Sequence, residues 1–570
     1  MEDVIYLFLR RMRAPLIVLI AAYSVSVGGL VLIPGVDDQG NRWYMDFFHA
    51  FYFVSFMGST IGFGEIPYPF TAAQRLWVAI CIFFTVLAWL YAIGRIFALV
   101  QDPAFRQAMR EARFILAVRA IRTPFHIVCG YGETGSLLVR AMARRGFQCV
   151  VIDREQDHLN ALALESLGSD VPAFCGDVGD TQTLLEAGLR KSLCQTVVAV
   201  TDSDDANVKV AITAKLLHPS VKVICRSGSQ SASDNLASFN TDHIINAYDA
   251  FGEHLAMAMR TPSVHLLHAW LISLPGKKLR PPVTPPYGKW IICGHGRFGR
   301  AVRQYLEQEG NQTIVIEQRP EWAPSDAVIG PATEAGPLLQ AGVRDAVGIV
   351  VGIDSDTNTL SSVMTARALN PRLYTVARQQ RRANTALFQA AKIDLVMEPS
   401  RIIVWRMLPL ITTPMLTRFL RLLRTGDERR AQMILERVRT VCRGMTPQTW
   451  SVDIGIDATP AVQALLDSGQ PVSVGDLLRE RLDRDERLPA LALMHTRGAE
   501  NVLMPDPERS LQAGDRLLFC GRDGTRHDME WVLYNRKALE YVVTGIDIPD
   551  GAVWRWLRRR RAATAATGHP

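Results

Sequence analysis

Two runs of nineteen residues without a single charged side chain constrain this chain more than any other feature. The first covers residues 15–33 (PLIVLIAAYSVSVGGLVLI) and the second covers residues 76–94 (LWVAICIFFTVLAWLYAIG). A helix of this length rises roughly 28 Å, which is about the thickness of the hydrocarbon core of a bilayer. We therefore predict two membrane-spanning helices.

Charged residues around these runs predict the orientation of the chain. Three arginines precede the first run at positions 10, 11 and 13, six follow the second between positions 95 and 122, and the loop between the runs is mainly acidic. Because Lys and Arg concentrate on the cytoplasmic side of membrane helices, both termini are expected in the cytoplasm. We place the chain in the cell inner (plasma) membrane.

The segment between the two runs has its own pattern. Residues 45–59 (MDFFHAFYFVSFMGS) are aromatic and too few to cross a bilayer, which favours a re-entrant helix. The next five residues, TIGFG, alternate around glycines, and non-helical backbone at this depth is tolerated only where it lines an aqueous path or is buried in protein. Such a strand can point successive carbonyl oxygens the same way and replace the water shell of a potassium ion. The predicted ion-selectivity filter is Thr60, Ile61, Gly62, Phe63 and Gly64.

Residues 14–101 resemble the pore module of two-span potassium channels, with TIGFGE in place of the more common TVGYGD. The resemblance implies a homotetramer in which four chains surround one potassium pathway. Phe63 lacks a hydroxyl that often tethers the filter in this family, and Glu65 replaces an aspartate at the outer mouth. Gly94, near the end of the second run, is a candidate gating hinge, although packing of small residues explains it as well. We expect no voltage sensor, because no helix carries arginine at every third position.

A long repeat follows. Residues 126–153 (HIVCGYGETGSLLVRAMARRGFQCVVID) return as residues 289–317 (KWIICGHGRFGRAVRQYLEQEGNQTIVIE), with equivalent glycines at a constant offset of 164. Each copy contains a strand, a G-x-G-x-x-G turn, a helix and an acidic residue at the end of a second strand. This combination is typical of a Rossmann fold that binds a dinucleotide at the helix N-terminus. The predicted binding residues are Gly130, Gly132, Glu133, Thr134, Gly135 and Asp153, with Gly294, Gly296, Gly299 and Glu317 in the second copy.

Further candidates lie at later strand ends of the first copy. Asp177 follows Gly176 where such folds contact a base or ribose, and Thr201 and Asp202 end the fourth strand. We expect NAD or an ADP-type nucleotide as a ligand rather than a redox substrate. The second copy has Gly330-Pro331 in place of Gly176-Asp177, which removes a carboxylate and a donor N–H, so binding there is left open.

The repeat resembles RCK domains (regulators of potassium conductance), which also occur in Trk-type uptake regulators, and the resemblance covers nearly everything after residue 125. It implies eight such domains in a tetramer, closing a gating ring. The acidic residues Asp202, Asp204 and Asp205 leave two interpretations open: a Ca²⁺ site, by similarity to calcium-responsive members of the family, or a solvated loop, which we favour.

The predicted fold class is a membrane α-helical two-span pore module followed by cytoplasmic α/β domains, namely two tandem Rossmann-like RCK domains and a small α+β C-terminal lobe. The predicted boundaries are 1–13 for the N-terminus, 14–101 for the pore module, 102–125 for a linker, 126–275 for the first RCK domain with crossover helices, 276–288 for a Pro-rich linker, 289–425 for the second RCK domain with crossover helices, 426–545 for the lobe and 546–570 for a basic tail. Thr-Pro turns at 261–262 and 413–414, each between two helices, predict that these helices cross onto a neighbouring domain.

The predicted function is passive potassium conduction controlled by cytosolic nucleotides or ions. The alternative is a membrane-anchored, NAD-binding regulatory subunit of a separate potassium transporter. An NAD-dependent oxidoreductase is disfavoured because no substrate domain or catalytic acid–base pair is evident, so no enzyme activity is expected. The net charge of +7 is modest and no nucleic-acid partner is expected; for the tail at 554–561 (WRWLRRRR) we favour a solvated end over contact with anionic lipid.

Overall fold

A computed structural model describes residues 2–62, 67–168, 170–273, 275–279, 284–424 and 428–546. The chain divides into two compact units. The first unit comprises residues 1–122 with the short pieces 172–175 and 184–188, and the second comprises 123–171, 176–183 and 189–570.

The first unit is mainly helical. Its elements are α1 (Glu2–Leu32), β1 (Gly35–Val36), β2 (Arg42–Trp43), α2 (Phe47–Gly58), α3 (Ala72–Gln101) and α4 (Pro103–Ala120). Two stretches, Arg10–Leu32 and Ala72–Gln101, are long and apolar enough to cross a membrane. The two predicted apolar helices are therefore present, and α1 and α3 both extend beyond the uncharged runs.

Side-chain caps set where these helices begin. Asp46 accepts a hydrogen bond from His49 N at 2.8 Å and starts α2, while Thr71 and Gln74 form a capping box at the start of α3. Asp102 ends α3 and caps α4 through Ala104 N, so the residues predicted as a linker, 102–125, are largely helical. The pore-module core lies between α1 and α2, around Leu30 and Val54.

The first Rossmann domain is a doubly wound α/β sheet. Its strands are β3 (Phe125–Cys129), β4 (Gln148–Asp153), β5 (Ala173–Cys175), β6 (Cys194–Ala199), β7 (Lys222–Ser227) and β8 (His243–Asn246), in the order β5-β4-β3-β6-β7-β8. Its helices are α5 (Glu133–Ala143), α6 (Gln156–Ala163), α7 (Thr181–Glu186), α8 (Asp204–Leu217), α9 (Gln230–Ser238), α10 (Ala247–Arg260) and α11 (Pro262–Ile272). The central strand β3 is buried along its whole length and pairs in parallel with β4 and β6.

The second Rossmann domain repeats this order as β11-β10-β9-β12-β13-β14. Its strands are β9 (Lys289–Cys293), β10 (Gln312–Glu317), β11 (Val328–Ile329), β12 (Gly348–Val351), β13 (Tyr374–Arg378) and β14 (Leu395–Met397). Its helices are α12 (Arg297–Gln308), α13 (Ala335–Gln340), α14 (Asp356–Leu369), α15 (Thr385–Ala390), α16 (Pro399–Thr412) and α17 (Pro414–Arg424). The prediction of two tandem Rossmann-like domains is confirmed.

A small α+β lobe completes the described chain, as predicted. It contains α18 (Glu428–Val441), β15 (Gln448–Asp453), α19 (Pro460–Asp467), β16 (Ala490–Arg497), β17 (Glu500–Leu503), β18 (Arg516–Gly521), α20 (Thr525–Tyr534) and α21 (Arg536–Thr544). Its antiparallel sheet has the order β15-β18-β16-β17. The basic tail at 554–561 lies outside the described residues.

The two Rossmann domains exchange helices. Helix α10 of the first packs on α12 of the second, and α16 of the second packs on α5 of the first. The first contact is close because Gly252 of α10 has no side chain: a Cβ there would lie 2.3 Å from Cδ2 of Tyr305 on α12. Arg406 of α16 pairs with Glu253 of α10, so each domain is held by the helices that follow the other domain's sheet.

Candidate functional site

The described part of the predicted filter is a turn at the end of α2. Thr60 and Gly62 have positive φ angles of 62° and 68°, and the N–H groups of Ile61 and Gly62 both donate to Phe56 O, at 3.0 and 3.4 Å. We expected an extended strand, and the difference arises because the carbonyl of Phe56, in the last turn of the helix, accepts from both of these donors. Phe63 and Gly64 of the predicted filter, and Glu65, lie outside the described residues.

Gly94, the predicted hinge, lies inside α3, which continues through it to Gln101. A Cβ placed on Gly94 would meet no other atom within 4 Å. Close packing within this chain therefore does not explain the glycine, and its role as a hinge stays a prediction.

The glycine turn of the first Rossmann domain depends on the absence of two side chains. Gly130 has a φ of +101°, in the left-handed region that favours glycine. A Cβ on Gly135 would lie 1.9 Å from Gly130 O, which no other residue could tolerate. The equivalent Gly299 would meet Gly294 O at the same distance, so both copies keep the same tight passage from strand to helix.

The helices that follow the two turns begin without a side-chain cap. Gly132 precedes α5 and Gly296 precedes α12, and neither can satisfy the first N–H groups of its helix. By contrast, Ser203, Ser229 and Asn246 cap α8, α9 and α10 through their side chains. The open donors and the positive end of the helix dipole favour an anion such as a phosphate at α5 and α12.

The acidic residue at the end of the second strand holds the glycine turn in place. Asp153 accepts hydrogen bonds from Tyr131 N at 2.5 Å and Glu155 N at 2.7 Å and is 6% exposed. Glu317 accepts in the same way from His295 N at 2.6 Å and Arg319 N at 3.0 Å. Sequence reasoning assigned these carboxylates to a ribose only, but an ionised carboxylate has about four acceptor positions and can do both.

The first turn opens into a cleft of about 680 Å³. Nearly all the residues predicted for this copy line it: Gly130, Gly132, Glu133, Thr134, Asp153, Asp177, Thr201 and Asp202. Gly135 packs beneath the turn instead. The structure adds cleft residues that sequence reasoning missed: Lys209, Arg226, Tyr248, Arg378, Gln380 and Ser400. The one available signal was the repeat, which aligns Arg226 with Arg378.

Arg378 reaches the first cleft from the second domain. Its guanidinium carbon lies 5.4 Å from the ring centre of Tyr248 and its Nη1 is 3.4 Å from Asp354 Oδ1. Its Nε is buried with no hydrogen-bond partner. The first cleft is therefore completed by a cation from the neighbouring copy, with one donor still unsatisfied.

The second cleft is almost the same size, about 690 Å³, but its rim differs. Gly294, Gly296 and Glu317 line it, whereas Gly299 packs beneath the turn. Trp322 covers one side, with Arg319 4.5 Å from its ring centre and His295 Nδ1 2.9 Å from its carbonyl oxygen. Arg378 also lines this cleft, so the two sites share one arginine.

The two clefts carry opposite charge balances. Acidic side chains outnumber basic ones around the first cleft, and basic ones outnumber acidic ones around the second. Asp205 is paired with Lys209 at 2.9 Å, and this hydrogen bond raises the pKa of Lys209. Asp204 accepts from Gly228 N at 2.8 Å. Among the described residues, no group of three His, Cys, Asp or Glu side chains is arranged to hold a metal ion.

Comparison with known proteins assigns families to both parts of the chain. The ion-channel family matches residues 16–102, and the TrkA-N domain family matches residues 126–247 and 290–399.

Curated relatives include potassium channel protein 1 of Methanocaldococcus jannaschii, 28% identical over 39% of this chain and 66% of the relative. They also include the voltage-gated potassium channel Kch of Escherichia coli, 26% identical over 36% of this chain and 48% of the relative. A Trk system potassium uptake protein TrkA homolog of Pyrococcus abyssi is 33% identical over 24% of this chain and 66% of the relative. The alignments thus span about two thirds or less of these three relatives.

Among solved structures, the GsuK channel bound to NAD is 16% identical, with 93% of this chain and 99% of that chain covered and a TM-score of 0.48. The fold and the two matched families define a class: an ion-channel module joined to Rossmann domains. More specifically, this chain carries one ion-channel domain followed by two tandem TrkA-N (RCK) domains.

Proposed function

We propose that four copies of this chain form a potassium-selective channel that is opened or closed by a nucleotide bound in the first cleft. One observation carries the proposal: an ion-channel domain and a Rossmann cleft with an open helix N-terminus occur in the same chain, joined by helices α3 and α4. Two of the three curated relatives described above are named as potassium channels.

The ion pathway uses residues 60–64. Carbonyl oxygens of several copies would replace the water shell of potassium, and one chain provides only one such segment. The pathway needs no chemical step, so the protein acts as a passive channel rather than an enzyme. The plasma membrane, with both termini in the cytoplasm, is the proposed location.

The ligand is an NAD- or ADP-type nucleotide. Its phosphates would meet the free N–H groups at the start of α5, and its ribose hydroxyls would donate to Asp153 and Asp177. Arg378 offers its unsatisfied Nε to a phosphate or to the base. At Asp202, Asp204 and Asp205 we favour a solvated loop over a Ca²⁺ site, because Asp204 and Asp205 already have other partners.

The chain itself connects the cleft to the helix that follows the second apolar helix. Asp177 of the cleft is separated from β5 by Gly176, and Phe174 of β5 stacks on Phe114 of α4, with ring centres 5.1 Å apart. Phe114 is 4% exposed, and α4 follows α3 with only Asp102 between them. Movement of the Gly176-Asp177 loop on ligand binding would therefore displace α4 and the end of α3.

The energy required is modest. Shifting a gate from 1:99 to 99:1 takes about 5.5 kcal/mol of differential binding, or roughly 1.4 kcal/mol at each of four equivalent sites. Because each site needs to supply so little, weak metabolite binding suffices. Four chains would bring together eight Rossmann domains in a ring.

The test of conduction is the reversal potential of the purified protein in planar bilayers with potassium on one side and sodium on the other. We expect currents that reverse near the potassium equilibrium potential. Currents that do not distinguish the two ions, or no current under any condition, would contradict the proposal, and the latter would favour the regulatory-subunit alternative.

Gly94→Ala tests the hinge in the same recordings. Because a methyl group at this position meets nothing within 4 Å beyond its own stretch of helix backbone, the variant should fold normally. We expect a shifted open probability with unchanged ion selectivity. Unchanged gating would show that Gly94 does not act as a hinge.

A further inference from the structure

A second kind of cavity lies between the two Rossmann domains, away from both glycine turns. It has a volume of about 390 Å³ and is enclosed by α10 and α11 of the first domain and by α15, β14 and α16 of the second. Its walls are mostly apolar and include the rings of Phe251, Phe388 and Trp405. Cavities of roughly 300–1,000 Å³ with apolar walls and a few polar groups are typical of small-molecule sites.

Three histidines form one side of the cavity. The ring centres of His254 and His268 are 4.7 Å apart, and those of His254 and His265 are 5.6 Å apart. Burial lowers the pKa of His265 to about 4 and that of His268 to about 3, and it lowers the pKa of His254 as well. All three imidazoles are therefore neutral at physiological pH, and each offers one donor and one acceptor nitrogen.

The charged groups around the cavity already have partners. Arg406 pairs with Glu253, and Arg401 lies 3.3 Å from Glu398. Asp394 accepts from Thr375 Oγ1 at 2.7 Å and is 3.6 Å from Arg367. A charged ligand would lose its hydration here without gaining a free counter-ion, which is costly in a buried site.

Two buried polar atoms of the cavity residues have no partner. Gln379 is 2% exposed, and its Nε2 donates to Arg381 O and Thr385 Oγ1 while its Oε1 is unsatisfied. Nε of Arg406 is an unsatisfied donor. An unpaired buried polar atom destabilises the fold, so a molecule that brings both a donor and an acceptor would be stabilised here by pairing with both atoms.

We propose that this cavity is a binding site for a small, uncharged, planar aromatic molecule that carries at least one hydrogen-bond donor and one acceptor. Gln379 Oε1 would accept from the ligand, Arg406 Nε would donate to it, and the rings of the cavity would cover its faces. The site is independent of the nucleotide clefts, and its occupancy would fix how the helices of one Rossmann domain pack on the other.

Three molecules of nearly the same shape test the ligand class: benzamide, benzoate and benzamidine, which are neutral, anionic and cationic. Binding is measured by titration calorimetry on the full chain in detergent, with NAD present at saturation so that the nucleotide clefts are occupied. We expect saturable binding of benzamide and at least tenfold weaker binding of the two charged molecules. No saturable binding of benzamide, or binding of either charged molecule as tight as that of benzamide, overturns the proposal.

The location is tested with Ala269→Trp, which places a large side chain into the cavity wall, and with Leu216→Trp as the matched control on an exposed surface. The cavity variant should lose benzamide binding while the control keeps it. Undiminished binding to the cavity variant would place the site elsewhere. If Ala269→Trp lacks the cooperative thermal unfolding of the parent chain and is thus misfolded, the smaller Ala269→Leu replaces it, with the same two outcomes. Because the readout is binding alone, a failed channel recording and a failed benzamide titration are distinguishable.

Discussion

The two clefts at the glycine turns have the same backbone and different rims. Both begin at a glycine turn in which the third glycine packs on the carbonyl of the first, and both have an acidic residue that accepts from the backbone of the turn. Their volumes, about 680 and 690 Å³, are almost equal. Size and turn geometry therefore do not distinguish the copies, and any difference in ligand binding must come from the side chains around the opening.

Those side chains differ in origin and in charge. The rim of the first cleft includes Arg378, Gln380 and Ser400 from the second domain, whereas the second cleft is lined by its own domain among the described residues. The first cleft has Asp177 where the second has Pro331. The repeated fold therefore keeps the residues that the backbone of the turn requires and diverges in the side chains around the opening.

The largest expected effect comes from the acidic residue of each turn. Asp153→Ala removes the acceptor for Tyr131 N–H and for a ribose hydroxyl, and hydrogen bonds to charged groups contribute about 1.5–3 kcal/mol. We expect NAD or ADP affinity, measured by calorimetry, to fall about 10- to 100-fold. Glu317→Ala is the matched control, because it makes the same change in the second cleft. Equal and undiminished nucleotide affinity in both variants would show that the glycine turns have a purely structural role.

The shared arginine gives the next largest effect. Arg378→Ala removes the cation that the second domain contributes to the first cleft, and we expect about tenfold weaker nucleotide binding there. Arg372→Ala is the control, since Arg372 is exposed on the same domain and lines neither cleft. If both variants bind nucleotide like the parent chain, the rim of the first cleft does not depend on its neighbour.

A third prediction concerns the connection of the first cleft to the pore module. Phe114→Ala removes the ring that stacks on Phe174 and should reduce the nucleotide-dependent change in open probability about fivefold, while binding and ion selectivity stay unchanged. Leu116→Ala on the same helix is the control, because Leu116 is 48% exposed. An undiminished response in Phe114→Ala would show that the signal takes another route.

The smallest expected effect is a difference in ligand preference. ADP carries more negative charge than NAD, so the more acidic first cleft should prefer NAD by about threefold at low ionic strength, and added salt should reduce this preference. Titration of both nucleotides into Glu317→Ala at two salt concentrations measures it. A preference for ADP that salt weakens would reverse the assignment of the two clefts.

Much of this architecture could be predicted from the sequence because the constraints are local. Residue 135 must be glycine because any side chain there would overlap Gly130 O. Nineteen residues without charge leave few alternatives to a membrane helix. Two copies of the glycine turn, each with its strand, helix and acidic residue, then indicate a Rossmann fold more strongly than one copy would. The same reasoning located eight residues of the first cleft from their positions at strand and helix ends.

What the sequence could not predict depends on packing between distant segments. The crossover helices were predicted and are found, but the sequence did not show that their packing brings Arg378 of the second domain to the first cleft. The uncapped N-termini of α5 and α12 were also missed, because the sequence does not show which side chains cap a helix. The turn at Thr60 differs from the expected strand because hydrogen bonds to Phe56 O decide its path.

The central claim is that a nucleotide in the first cleft controls a potassium pore, and single-channel recording tests it most directly. Open probability in planar bilayers is measured before and after NAD or ADP is added to the cytoplasmic side, for the parent chain, Asp153→Ala and Glu317→Ala. We predict that nucleotide changes the open probability of the parent chain and of Glu317→Ala, and that the change is much smaller in Asp153→Ala. A conducting channel that ignores nucleotide, or one whose response survives in Asp153→Ala, would contradict it.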